Sequence, residues 1–96
     1  MPLIVHPGRL LQREMKARAL SANGLALRLG VSAGRIADIL HGRCSITPDT
    51  AVRLGRFFGN GPQFWLDLQS QYDIALVERD HGDEIARQVF PIAATA

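Results

Sequence analysis

An all-α fold of five helices, followed by a short C-terminal tail, is predicted by three observations. Apolar residues recur at helical spacing along most of the chain. Glycine, proline and capping residues cut that pattern into five pieces, at Gly30, at His41-Gly42-Arg43, and at Gly59-Asn60-Gly61-Pro62 among other points. With 47% apolar residues in 96, the chain can bury one small core and has room for a single domain.

The elements follow in order. Pro7 opens helix 1, because its missing amide hydrogen would be unpaired in a first turn anyway, and Arg9 to Ala19 holds good helix formers without a breaker. Ser21 is the N-cap of helix 2, which runs to Leu29 with Leu25, Ala26 and Leu29 on one face. Gly24 inside it costs about 1 kcal/mol relative to alanine, so this helix relies on tertiary packing. Gly30 stops it, since glycine enters the left-handed conformation without a side-chain clash. Ser32 caps helix 3, Ala33 to Leu40, with Ile36, Ile39 and Leu40 inward and Gly34, Arg35 and Asp38 opposite. Thr47-Pro48-Asp49 restarts the chain with a cap, a first-turn proline and an acid at the positive end of the helix dipole, and helix 4 reaches about Phe58. Phe64, Trp65, Leu68, Tyr72, Ala75 and Leu76 mark a long amphipathic helix 5 that ends near Arg79. The expected division is a domain over residues 1–80, with a reading unit at about 21–41, and a weakly patterned tail over 81–96 that forms a short helix or a strand, or stays disordered until a partner orders it.

Charge and composition narrow the function. The formal net charge is +2, but residues 1–58 carry nine basic and three acidic side chains whereas residues 59–96 carry two basic and six acidic ones. A cationic part that attracts polyanions, joined to an acidic part that does not, fits a molecule with one face for phosphates and another for protein; the plainer alternative is ordinary solvated charge. Cys44 is the single cysteine and His6, His41 and His81 are scattered, so neither a disulfide nor a metal or other cofactor is expected. No leader pattern and no apolar run approaching roughly 20 residues is seen, so the expected setting is the reducing cytoplasm, with no membrane.

The most informative stretch runs from Ala22 to His41. Counted from Ala22, Ala26 is fifth, Gly30 ninth, Ile36 fifteenth and Ile39 eighteenth. Two short helices crossing steeply need a small residue where they approach, a glycine at the turn and aliphatics that anchor the second helix. That is a helix-turn-helix, and its second helix presents Ser32, Ala33, Gly34, Arg35 and Asp38 to a major groove of double-stranded DNA. The Arg35 fork matches guanine O6 and N7, while Asp38 accepts from a cytosine amino group or orients Arg35. Ser21, Asn23, His41, Arg43 and Ser45 flank this helix and suit phosphate oxygens, which fix register rather than sequence. The plain alternative is an Arg35–Asp38 surface pair without a ligand.

Other chemistry is less well supported. His41 has no serine, cysteine or carboxylate at a partnering offset, so an enzyme is not expected. Cys44 beside Arg43 suggests a lowered thiol pKa, yet a lone surface cysteine carries no function by itself. Phe57, Phe58, Phe64, Trp65 and Tyr72 have the spacing of core or dimer-interface residues rather than of a base-stacking platform.

Four stretches together carry a family resemblance: His6-Pro7-Gly8, LALRLGVSAGRIADILHGR at 25–43, SITPDTAVRLGRFFG at 45–59, and PQFWLDLQSQYD at 62–73. Over residues 4–80 the chain resembles the HigA-type, VapI-like antitoxins of the XRE class, whose fold is lambda-repressor-like. The resemblance implies a homodimer that binds operator DNA, represses its own operon and neutralises a RelE-like toxin that cleaves messenger RNA. It places Ser32 to Asp38 against bases and Arg43 by the backbone. The chain departs from the family pattern at Ala22, where glutamine is frequent, at His41 for asparagine, at Cys44 for a basic residue, and at Gly61 for a serine or threonine cap. These departures imply fewer phosphate contacts and a slightly weaker start to helix 5. Two other readings stay open: an XRE regulator without a toxin, and a protein-interaction module that has lost DNA binding.

Overall fold

Five helices, α1 (Pro7–Ala17), α2 (Ala22–Leu29), α3 (Ala33–Leu40), α4 (Pro48–Phe58) and α5 (Pro62–Gln88), make up the computed structural model, which describes residues 4–93. Among the described residues there is no strand. Residues 94–96 of the expected tail, and residues 1–3 of the expected domain, lie outside that range.

Each helix begins where a side chain or a proline can deal with its unpaired amides. His6 caps α1, its Nδ1 accepting from the Gly8 amide at 3.0 Å, a role the sequence reading did not assign. Ser21 accepts from Gly24 at 3.0 Å, Ser32 from Arg35 at 3.1 Å and Thr47 from Thr50 at 3.3 Å, as the spacing predicts. Gly30 adopts φ 72°, and its amide returns to the Ala26 carbonyl. Helix α1 stops at Ala17 rather than Ala19, because Ala19 itself turns left-handed at φ 53°. The Leu20 amide then reaches back to the Met15 carbonyl at 2.9 Å and the Ala19 amide to Lys16 at 3.2 Å, which is a Schellman closure.

The core forms where α1 to α5 meet. Leu11, Leu25, Ile36, Ile39, Ala51, Leu54 and Trp65 are fully buried, and Met15, Ala26, Leu29 and Ile46 nearly so. Ala26 and the Gly30 turn let α2 cross α3 closely, as the offsets demand. Gly8 lies against the Ile39 carbonyl so tightly that a Cβ there would collide with it, which joins the start of α1 to the last turn of α3. Trp65 anchors α5, its Nε1–H donating to Asn60 Oδ1 at 2.9 Å. Buried Gln69 accepts from the Ile46 amide at 2.8 Å and donates to Asp73 at 2.9 Å, tying the α3–α4 loop to α5.

Two features of α5 differ from expectation. Its cap, Gly61, sits at φ 84° and ψ 159°, a conformation reserved for glycine. A serine would be strained there, so Gly61 fits this backbone, although it gives α5 no side-chain cap hydrogen bond. The helix also continues past Arg79 to Gln88. From Val77 to Gln88 every residue is exposed except half-buried Gly82, so this half projects from the body and stretches the molecule to 53 Å along its long axis.

Candidate nucleic-acid interface

Helix α3 is held from behind and open in front. Ile36 and Ile39 are fully buried, while Ser32, Gly34 and Arg35 are exposed and Ala33 and Asp38 half-buried. Ser32, Gly34 and Arg35 therefore lie exposed at the start of α3, with Asp38 in its second half and Ala33 partly turned toward the core. The Ser32 hydroxyl oxygen is engaged by the Arg35 amide, which leaves its O–H free to donate outward.

The flanking residues surround this helix. Ser21 and Asn23 are exposed in the cap and first turn of α2, where amides without intrahelical partners point outward. His41, Arg43 and Ser45 are exposed beyond the other end of α3. His41 Nδ1 lies 2.8 Å from the Ala37 carbonyl oxygen, so that nitrogen donates and Nε2 is left toward solvent.

The ion pairs are not those the spacing suggested. Asp38 accepts from Arg43 Nε at 3.1 Å, and so does not hold Arg35. Arg35 instead faces Asp49 in the first turn of α4, with Nη1 to Oδ1 at 3.7 Å. The same Asp49 oxygen accepts from Arg53 Nε at 2.7 Å, and Arg53 Nη1 donates to the Leu29 carbonyl at 2.8 Å. The hydrogen bond from Arg53, more than the two guanidinium charges, holds the Asp49 carboxyl below the usual carboxylate range. Sequence reasoning took Asp49 for a helix-dipole residue and passed over Arg53. The four-residue step from Asp49 to Arg53 on one helix was the available signal.

Cys44 corrects another expectation. It is half-buried against the core, and that burial first, then the nearby Asp38 carboxylate, pushes its thiol pKa up against the opposing pull of Arg35 and Arg43. The aromatic residues divide: Trp65 is fully buried, Phe57, Phe58 and Tyr72 are half-buried, and Phe64 is exposed. Tyr72 packs edge-on against His6 with ring centroids 4.8 Å apart. Among the described residues no group of three or more His, Cys, Asp or Glu is placed to hold a metal ion, and no helix is long and apolar enough to cross a membrane.

No protein-family model matches the chain. Individual relatives do. Virulence-associated protein I of Dichelobacter nodosus is 47% identical over 81 residues, covering 83% of this chain and 74% of the relative. Among solved structures, an addiction module antidote protein of the HigA family from Coxiella burnetii superposes with a TM-score of 0.91 at 42% identity, over 95% of this chain and 100% of that one. The Pseudomonas aeruginosa antitoxin HigA, solved with the higBA promoter, superposes with a TM-score of 0.90 at 36% identity, over 94% and 99% of the two chains.

Proposed function

This chain belongs to the HigA family of addiction-module antitoxins, and on that premise we propose that it is a dimeric repressor of its own operon that also neutralises a RelE-like, messenger-RNA-cleaving toxin. The observation that carries the DNA half is Arg35: an exposed guanidinium near the start of a helix whose opposite face is fully buried. In the proposed complex Ser32 to Asp38 enter the major groove, Arg35 meets a guanine, and Ser21, Asn23, His41, Arg43 and Ser45 meet phosphates. The promoter complex of the Pseudomonas aeruginosa relative supports this reading.

Dimerisation is assigned to the projecting half of α5. Ile74, Val77 and Ile85 are 56%, 46% and 41% exposed along one stripe, and Gly82 completes it. An isolated helical segment of that length is marginal in water, so a second copy of the same stripe is its natural cover. Two such protomers place their reading helices about 34 Å apart, in successive major grooves of an inverted repeat. The domain division proposed is a reading domain over residues 1–80 and a partner-facing segment beyond. The toxin is assigned to acidic side chains of that segment, Asp83 and Glu84, since α1 is itself cationic and a ribonuclease that grips RNA is basic.

The test substitutes Arg35→Ala and measures affinity for the native promoter fragment. A loss of about 1–3 kcal/mol, with relaxed preference at one base pair, is expected. Unchanged binding removes Arg35 from the site. Co-expression with the product of the neighbouring gene tests the toxin half, which fails if no complex forms and growth is not rescued.

A further inference from the structure

We propose that Asp49 is a positioning residue for sequence discrimination, holding the Arg35 guanidinium across the gap between α4 and α3 so that it favours a base edge over a phosphate. The inference rests on the assignment of Arg35 to a base, made above.

A long arginine on an exposed helix face samples many rotamers, and a phosphate oxygen satisfies it as readily as a guanine does. Asp49 changes both terms. Its carboxylate is not a loose partner: Arg53 Nε holds Oδ1 at 2.7 Å, and Arg53 is fastened through Nη1 to the Leu29 carbonyl at 2.8 Å, at the end of α2. The position of Asp49 is thus referred to the helix-turn-helix backbone itself. The Arg35–Asp49 separation of 3.7 Å is an ion-pair distance rather than a formed hydrogen bond, so Arg35 is directed without being locked. Asp49 is also mostly exposed, and its negative charge lies close to anything Arg35 touches. A phosphate drawn to Arg35 meets that charge and is repelled, whereas a guanine edge, neutral and carrying two acceptors, meets it at smaller cost. Non-specific binding is therefore penalised more than specific binding.

Fluorescence anisotropy of the full chain on the promoter fragment and on a scrambled duplex of equal length tests the proposal. The variants are Asp49→Asn, Asp49→Glu, Arg35→Ala, and Arg35→Ala combined with Asp49→Asn. Asp49 is exposed, so the isosteric variant keeps the fold, which circular dichroism checks. Asp49→Asn is expected to tighten binding to the scrambled duplex and to lower the specific-to-non-specific ratio about fivefold, a fraction of what a bidentate contact is worth. Asp49→Glu restores most of the ratio, and in the Arg35→Ala background Asp49→Asn changes it no further. Equal effects on both duplexes, or the same ratio change with Arg35 absent, overturn the positioning role while the assignment of Arg35 stands. An unchanged ratio in Arg35→Ala alone overturns the base contact and the proposal with it.

Discussion

Arg53 Nη1 donates to the carbonyl oxygen of Leu29 at 2.8 Å, closing the last turn of α2 onto α4 across a sequence separation of 24 residues. The Leu29 carbonyl is one of those a helix end leaves without an intrahelical donor, so a charged donor from α4 completes it. Replacing Arg53 by alanine leaves it to water and is expected to cost about 1 kcal/mol, read by urea denaturation. Faster hydrogen exchange at Val31, whose amide bonds to Ala26 at 3.0 Å beside this turn, should accompany the loss. The same variant frees Asp49. With Arg53 present the folded carboxyl titrates below its unfolded value, so the stability it contributes is in place at neutral pH and is lost as the pH falls through the folded value. Carbon-13 titration of Asp49 should move back toward the ordinary aspartate range in Arg53→Ala, and no movement would discount the hydrogen bond as the cause.

Gly55 on α4 faces the backbone of Gly61 and Pro62, where the chain turns into α5. A Cβ at Gly55 would overlap the Gly61 carbonyl and the Pro62 nitrogen, atoms that cannot swing aside as a side-chain tip can. Although alanine favours a helix over glycine by about 1 kcal/mol, Gly55→Ala is expected to destabilise the protein by about 1–3 kcal/mol net, because backbone must shift. Thermal unfolding decides the sign, and a stabilised variant would show that the α4–α5 elbow yields.

What the sequence disclosed and what it hid differ in physical kind. Caps, breakers and helical spacing act within a few residues, so Ser21, Gly30, Ser32 and Thr47 were readable, as was the burial of Leu25, Ala26, Ile36 and Ile39. The ion pairs were not, because they depend on which helices face each other: Asp38 has Arg35 three residues behind it and Arg43 five ahead, and only the loop geometry chooses Arg43. The reach of α5 was missed for another reason. Asp80, His81 and Gly82 interrupt the apolar pattern, yet Glu84 lies near both His81 and Gln88 on successive turns, and such local pairs suit a helix that the core does not support. Gly55 and Gly61 were hidden because a close backbone approach leaves no pattern in one sequence.

Ala19 is the only non-glycine residue with positive φ among the described residues, at 53°. It occupies the position after the α1 C-cap where glycine is usual, and its Cβ bears the steric cost of the left-handed conformation. Ala19→Gly relieves that cost but loosens the unfolded chain, and the balance is expected to favour the folded state by about 0.5–1 kcal/mol. Ala19 is exposed and outside the reading unit, so promoter affinity should stay unchanged while the melting temperature rises. A lower melting temperature would mean that Ala19 is not held left-handed in solution.

Val77 lies one turn after Ile74 in the exposed stripe that runs on to Ile85, on the part of α5 that no other helix covers. If a second copy covers it, a glutamate there buries a charge without a partner, which costs far more than removing the valine methyl groups from the interface. In the monomer the same glutamate is solvated and suits a helix, so Val77→Glu should spare the core around Trp65 and act on assembly. Light scattering is expected to fall from twice the 10.5 kDa chain mass to that mass alone. Helical ellipticity should decline slightly as the projecting turns of α5 lose their cover. Operator affinity should drop by about a hundredfold, because each reading helix then binds its half-site without the effective concentration its partner supplies. Affinity for a single half-site should be unaltered, which separates failed assembly from a damaged reading surface. Retention of the doubled mass in Val77→Glu would place the subunit contact elsewhere.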